Sequence, residues 1–250
     1  MPGIKLSEID TMPPAHLDKD EAEKQTKKLI NRLSELQNVL FAEGKHSMLI
    51  VLQGMDASGK DGAIKEVFSG INPLGCRVTA FKKPTEEEMK HEFLWRIHKH
   101  VPEKGMIQIF NRSHYEDVVI QRVHAWVDED TIKRRYTHIN NFETLLQENG
   151  TVVLKFYMHI SKDEQTERLQ ERLSDIRKMW KYNPNDLKES ERWDEYMEAY
   201  QLAFAKCSPE IPWTIVPADK NWYKEYLIAK TLVEAMEKLD MQYPGIKKDG

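Results

Sequence analysis

A continuous apolar run, Met48-Leu-Ile-Val-Leu-Gln53, leads straight into a glycine-framed loop, Gly54-Met-Asp-Ala-Ser-Gly59-Lys60-Asp61-Gly62. This junction constrains the fold more than any other segment. The run is short and rich in branched residues, so it reads as a strand covered on both faces in a parallel sheet. Gly54 and Gly59 let the backbone turn with its N–H groups inward, making a nest for an anion. A helix starting at the end of the loop aims its positive pole at the same point. Lys60 can then reach the terminal oxygens of a phosphoanhydride, in the order strand, G-x-x-x-x-G-K, helix. Gly54, Ala57, Ser58, Gly59, Lys60, Asp61 and Gly62 are the expected phosphate contacts. The bland alternative is a glycine turn with an exposed lysine.

The loop departs from its usual form at one position. The hydroxyl residue that normally follows the lysine and ligates Mg²⁺ is Asp61 here. A carboxylate can bind Mg²⁺ but also repels phosphate, so a second group must help hold the metal. Asp56 is the candidate, because Mg²⁺ favours one or two carboxylates completed by phosphate oxygens and water. A turn residue capping backbone N–H groups is the alternative for Asp56.

Four further apolar runs follow, at Cys76–Phe81, Met106–Phe110, Thr151–His159 and Trp213–Val216. Helical patterns lie between them at about 60–70, 85–99, 113–124, 131–148 and 162–206. The alternation predicts right-handed βαβ units and a three-layer α/β sandwich around five parallel strands. A length of 250 residues fits one such domain, with a helical excursion between the fourth and fifth strands. Residues 1–17 read as an extended arm. Residues 18–43 read as a helix whose Leu29, Leu33, Leu36 and Leu40 share one face, suited to the chain's own core or to a subunit interface.

No apolar run approaches the ~20 residues needed to span a bilayer. The N-terminus lacks the basic and apolar regions of a signal peptide, and Cys76 and Cys207 stand alone. A soluble cytoplasmic enzyme is the simplest expectation, with no membrane partner. The net charge is −4. A protein that coats nucleic acid carries a basic surplus, so no nucleic-acid partner is expected. Any polyanion must meet positive charge gathered in a cleft.

Two clusters can supply that charge. Lys82 and Lys83 follow the second strand, where ligands of parallel sheets sit. Thr85 and Glu88 beside them also form a capping box. The third strand runs into Asn111-Arg112-Ser113-His114-Tyr115-Glu116-Asp117. Arg112 has the fork geometry that suits phosphate oxygens, whereas Ser113 could equally cap the next helix. A capping box at Ser161 and Glu164 then opens a helix expected to run to about Tyr182. It carries Arg168 and Arg172 at i,i+4, followed by Lys178 and Lys181. These residues suit a lid that closes over phosphates. The acids interleaved with them also suit a solvated, ion-paired helix. His91, His98 and His100 lack the spacing of a zinc site.

Taken in order, G-x-D-x-x-G-K-x-G, F-K-x-P-T-x-E-E and N-R-S-x-Y-E resemble the type 2 polyphosphate kinases. Trp180-Lys181 and Ile215–Tyr223 agree, and the likeness spans roughly residues 45–240. The resemblance implies a P-loop kinase sandwich with a helical lid at about 161–206. It also implies a Mg²⁺ requirement (Mn²⁺ as a substitute) and a homo-oligomer, dimer or tetramer. The partners implied are inorganic polyphosphate and nucleoside mono-, di- and triphosphates, with reversible transfer between them. It places Asp56, Lys60, Lys82 or Lys83, Asn111, Arg112 and Glu116 in the active site. Asp56, Lys60, Arg112 and Glu116 are the expected catalytic group. Asn111, Ser113, Tyr115 and Glu116 are the expected nucleotide contacts, and Asp56 and Asp61 the metal ligands. Some members carry Asp at the position of Asn111. Glu116 is the variant of members that accept both nucleoside mono- and diphosphates. An acceptor phosphate is already anionic and needs no strong base, so positioning and charge neutralisation carry the chemistry. The rival readings are an ATP-dependent nucleotide or small-metabolite kinase of the same fold, and a slow nucleotide switch.

Overall fold

The computed structural model describes residues 4–207 and 210–245. After a 3₁₀ turn at Leu6–Glu8 come helix α1 (Lys19–Glu43), strand β1 (Ser47–Gln53), helix α2 (Lys60–Val67) and strand β2 (Cys76–Ala80). Helix α3 (Trp95–His98), strand β3 (Ile107–Asn111) and helices α4 (Glu116–Val123) and α5 (Glu129–Glu148) follow. Strand β4 (Thr151–His159) leads into α6 (Lys162–Ser174), α7 (Ile176–Met179), α8 (Pro184–Glu191) and α9 (Trp193–Lys206). Strand β5 (Trp213–Pro217) and helix α10 (Asn221–Glu237) complete the chain's described elements.

The five strands are parallel and ordered β2-β3-β1-β4-β5. Every residue of central β1 is buried, which explains its unbroken apolar sequence. Helices α1, α2 and α10 pack together on one face, and α4, α5 and α9 associate on the other, so the α/β sandwich has three layers. The order reverses direction beside β1, and the loops at the carboxyl ends of β1 and β3 open into the crevice that this creates.

Four local expectations are corrected. The 85–99 segment is not one helix but a 3₁₀ turn at Glu88–Lys90 followed by α3. The Thr85–Glu88 capping box does form, but Glu88 also faces the buried Arg96 at 3.5 Å, and the chain turns inward there. The helix expected to reach Tyr182 stops at Ser174. Asp175 is extended and its carboxylate accepts from Arg177 N, starting a new turn. Helix α9 is no part of a lid, because Tyr196, Ala199, Tyr200, Ala203 and Phe204 are buried in the core. The α10 helix went unanticipated; α1 packs along it, so Leu33, Leu36 and Leu40 are covered within the chain. The arm's described part is not a free extension either, since Leu6 is buried.

A buried polar cluster fixes the turn after β3. Lys155 Nζ donates to Glu143 at 2.7 Å, to Tyr115 Oη at 2.9 Å and to Cys207 O at 2.6 Å. Tyr115 Oη in turn donates to Glu143 at 2.9 Å, and His114 Nε2 lies 3.1 Å from the same carboxylate. Burial is the strongest single influence on Glu143 and opposes its charge, but Lys155 and His114 together outweigh it and hold the carboxyl below its ordinary range. Lys155→Met alone strands a buried carboxylate, which typically costs roughly 3–5 kcal/mol. The double variant Lys155→Met/Glu143→Leu should lose less than the sum of the two single variants. Urea unfolding of the three variants measures this coupling directly.

Candidate active site

The loop from 54 to 59 closes where only glycine fits. A Cβ on Gly54 would lie 2.9 Å from Met158 O and 2.8 Å from Ser58 Oγ. Gly59 has φ +90°, and a Cβ there would lie 2.3 Å from Lys224 Nζ. Ser58 is fully buried beneath the loop. Lys60 curls back over it, donating to Gly54 O at 2.7 Å and Met55 O at 3.0 Å. Its pKa is pushed down to about 8, by burial first and then by the Arg112 charge, against the pull of Asp56, Glu116 and Asp61.

Arg112 sits at φ +60°, a left-handed conformation that costs a non-glycine residue on the order of 1–3 kcal/mol. Its N–H donates to Leu52 O at 3.1 Å, which ties the turn to the end of β1. The guanidinium contacts Asp56 directly and faces Glu116 at 3.9 Å. Those two carboxylates, Glu116 foremost, raise its pKa and keep it charged. Asp61 accepts from Asn111 Nδ2 at 2.8 Å and from Lys181 Nζ at 2.9 Å. Burial opposes ionisation of Asp61, yet Lys181 and Asn111 together hold its pKa below the ordinary value.

A cleft of about 650 Å³ opens over this loop. Lys60, Lys82, Lys83, Arg112, Arg168, Arg172, Lys178, Lys181 and Lys224 line it, against Asp56, Asp61, Glu171 and Asp186. Arg168 on α6 donates to Ala57 O at 3.2 Å, and Arg172 pairs with Asp186 at 2.6 Å. A second pocket of about 380 Å³ has a different character. Glu116, Glu189, His124, Trp126, Tyr196 and Tyr200 line it together with Arg112. The two cavities share Asp56, Arg112, Asn183 and Asp186. Trp126 is 61% exposed with His124 stacked on it at 4.6 Å, while Tyr196 Oη and His124 Nε2 both meet Glu189 Oε2.

The structure therefore brings together Asp56, Lys60, Asp61, Lys82, Lys83, Asn111, Arg112, Arg168, Arg172, Lys178 and Lys181, with Glu116 in the adjoining pocket. It does not bring Ser113 or Tyr115 there. Ser113 is buried, accepting from Gln53 Nε2 at 3.1 Å and from Tyr115 N at 3.2 Å. Tyr115 is wholly inside the Lys155–Glu143 cluster, so neither side chain is a nucleotide contact in this arrangement. Lys224 is the residue that sequence reasoning missed. It is fully buried, donates to Asn221 Oδ1 at 2.8 Å, and among the described residues pairs with no carboxylate. Burial first, then Arg168, pushes its pKa down to about 8. A buried ammonium without a counter-ion favours an anionic ligand. The clue was the lysine three residues after Asn221, legible only once α10 is known to start there.

Among the described residues no three His, Cys, Asp or Glu side chains gather as a metal cage. Asp56 and Asp61 are hard oxygen donors beside the phosphate nest. That donor set fits Mg²⁺, which completes its shell with phosphate oxygens and water.

The comparisons with known proteins agree with this geometry. The polyphosphate kinase 2 family model matches residues 16–244. The chain is 52% identical over 217 residues to the AMP/ADP-polyphosphate phosphotransferase of Meiothermus ruber, covering 86% of this chain and 81% of that protein. It is 41% identical over 244 residues to the ADP-polyphosphate phosphotransferase of Rhodopseudomonas palustris, covering 92% and 84%. The crystal structure of polyphosphate kinase 2 from Arthrobacter aurescens TC1 superposes with a TM-score of 0.96 at 44% identity, over 100% of this chain and 91% of that one. A family model that matches residues 16–244, with a relative 52% identical over 86% of the chain, makes this chain a member of the polyphosphate kinase 2 family.

Proposed function

We propose that the chain transfers the terminal phosphoryl group of inorganic polyphosphate to nucleoside mono- and diphosphates, and reversibly back. The observation that carries this reading is the separation of charge between two cavities that meet at Asp56 and Arg112. The larger cleft, rich in lysine and arginine, suits a linear polyanion. The smaller pocket sets an exposed tryptophan beside carboxylates, which suits a base and ribose while repelling a second polyanion. Names of the relatives support the same pair of substrates.

In this reading an oxygen of the acceptor phosphate attacks the terminal phosphorus of the chain. The P–O bond to the next phosphate breaks, and a polyphosphate one unit shorter leaves. Lys60 and the inward amides of the loop hold the transferring group, and Arg112 bridges donor and acceptor. Arg168, Arg172, Lys178, Lys181 and Lys224 track the chain behind it, with Lys82 and Lys83 at the rim. Mg²⁺ (or Mn²⁺) held by Asp56 and Asp61 would neutralise charge on the phosphate oxygens. Glu116, in the acceptor pocket beside Arg112, is the residue through which the length of the nucleotide's phosphate tail is read. We place this activity in the cytoplasm, where the nucleotides are.

Supplying ADP or AMP, Mg²⁺ and long-chain polyphosphate without ATP should yield ATP or ADP; no product from either acceptor overturns the reading in favour of an ATP-dependent kinase. Lys60→Ala or Asp56→Ala should cut turnover by about a hundredfold or more while circular dichroism stays native. Trp126→Ala should raise KM for the nucleotide about tenfold, through a lost stacking contact worth ~1–3 kcal/mol, and leave KM for polyphosphate near wild type. Lys60 must be charged to hold phosphate, and its pKa in the free protein is about 8. The value of kcat/KM for polyphosphate should therefore fall as pH rises through that region, measured as a pH–rate profile.

A further inference from the structure

The N-terminal arm ends in contacts that the phosphate chemistry does not explain. Leu6 N donates to Gln201 Oε1 at 2.8 Å, and His159 Nε2 donates to Leu6 O and Ile9 O at 3.0 and 3.1 Å. Five residues from the buried Leu6, Thr11 Oγ1 donates to Asp219 Oδ2 at 2.7 Å. Asp219 N donates back to Thr11 O at 3.1 Å. The other carboxylate oxygen, Oδ1, accepts from Ser161 N at 2.8 Å. Asp219 is 8% exposed, so these bonds work in a mostly water-free setting.

Ser161 is the N-cap of α6, and its Oγ accepts from Glu164 N at 3.2 Å. Glu164 Oε1 takes Arg168 Nε at 2.9 Å. The same guanidinium reaches Ala218 O at 2.9 Å and Asp219 O at 3.1 Å on one side, and Ala57 O of the phosphate loop on the other. An unbroken chain of hydrogen bonds thus runs from the arm, through one carboxylate, to the first turn of the lid and the cation that faces the nest.

We propose that residues 6–11 form a strap that positions Arg168 for the polyphosphate chain, with Thr11 and Asp219 as positioning residues. The strap fixes where α6 leaves β4. Its assay rests on the polyphosphate-dependent transfer proposed above. A wild-type protein without that transfer refutes the function; the outcomes below address the strap alone.

Thr11→Val keeps the shape and deletes the hydroxyl, Thr11→Ser restores it, and Arg168→Ala supplies the second background. The expected result is a loss of about tenfold in kcat/KM for polyphosphate in Thr11→Val, the scale of one hydrogen bond to a charged group. KM for ADP should stay within about twofold, Thr11→Ser should match wild type, and amide exchange at 161–168 should quicken. In the Arg168→Ala background Thr11→Val should add no further loss, because coupled residues are not additive. Wild-type kinetics in Thr11→Val, an equal loss for both substrates, or the same factor in the Arg168→Ala background would each overturn the strap.

Discussion

The structure depends on positive charge kept out of water next to a ring of backbone amides. Lys60 and Lys224 are both buried, and burial lowers the pKa of each to about 8. Neither has a carboxylate partner of its own within hydrogen-bonding distance among the described residues; Lys60 leans on two loop carbonyls and Lys224 on an asparagine. Such an arrangement is unfavourable in an isolated protein and becomes favourable when an anion arrives. Glycine at 59 is required by its φ of +90°, and a Cβ there would also crowd the Lys224 ammonium. The unpaired burial of these two lysines therefore favours an anionic ligand beside the loop.

The remaining cations are stored differently. Arg172 rests on Asp186, Lys181 on Asp61 and Arg168 on Glu164. On the function proposed above, each pair loosens as a phosphate chain enters and exchanges one charged partner for another. Asp61 gains from this exchange. On the function proposed above, Asp61 released by Lys181 is an oxygen donor for the metal ion, the part a hydroxyl plays in the usual loop. Asp186, on α8, lines both cavities and pairs with Arg172 of α6. In the proposed reaction, positioning of the two repelling substrates is distributed over the loop, the α6–α8 segment and the turn after β3.

Much of this was legible in the chain. The burial of β1 could be read from Met48–Leu52, and the five parallel strands from the spacing of apolar runs. Arg112 and Lys60 stood in motifs whose chemistry names them. Other features escaped because their signals are tertiary. Tyr115 looked like a crevice residue from its neighbours, but Lys155 and Glu143, distant in sequence, draw it inward. Helix α9 follows the charged α6–α8 segment without a break in the sequence and is set apart by a buried aromatic face matched to the sheet. Lys224 and Trp126 carry no local signature, because each acquires its place only when α10 or the end of α4 packs. The lid's break at Asp175 was readable in principle, an aspartate capping the turn that follows it.

A crystal structure with a methylene-bridged polyphosphate and AMP tests the central claim most directly. The expected density has the chain's end in the nest formed by Gly54 to Lys60, its body beneath Arg168 and Lys224, and the adenine against Trp126. A polyphosphate chain in the smaller pocket, or an anion bound away from residues 54–60, would contradict it.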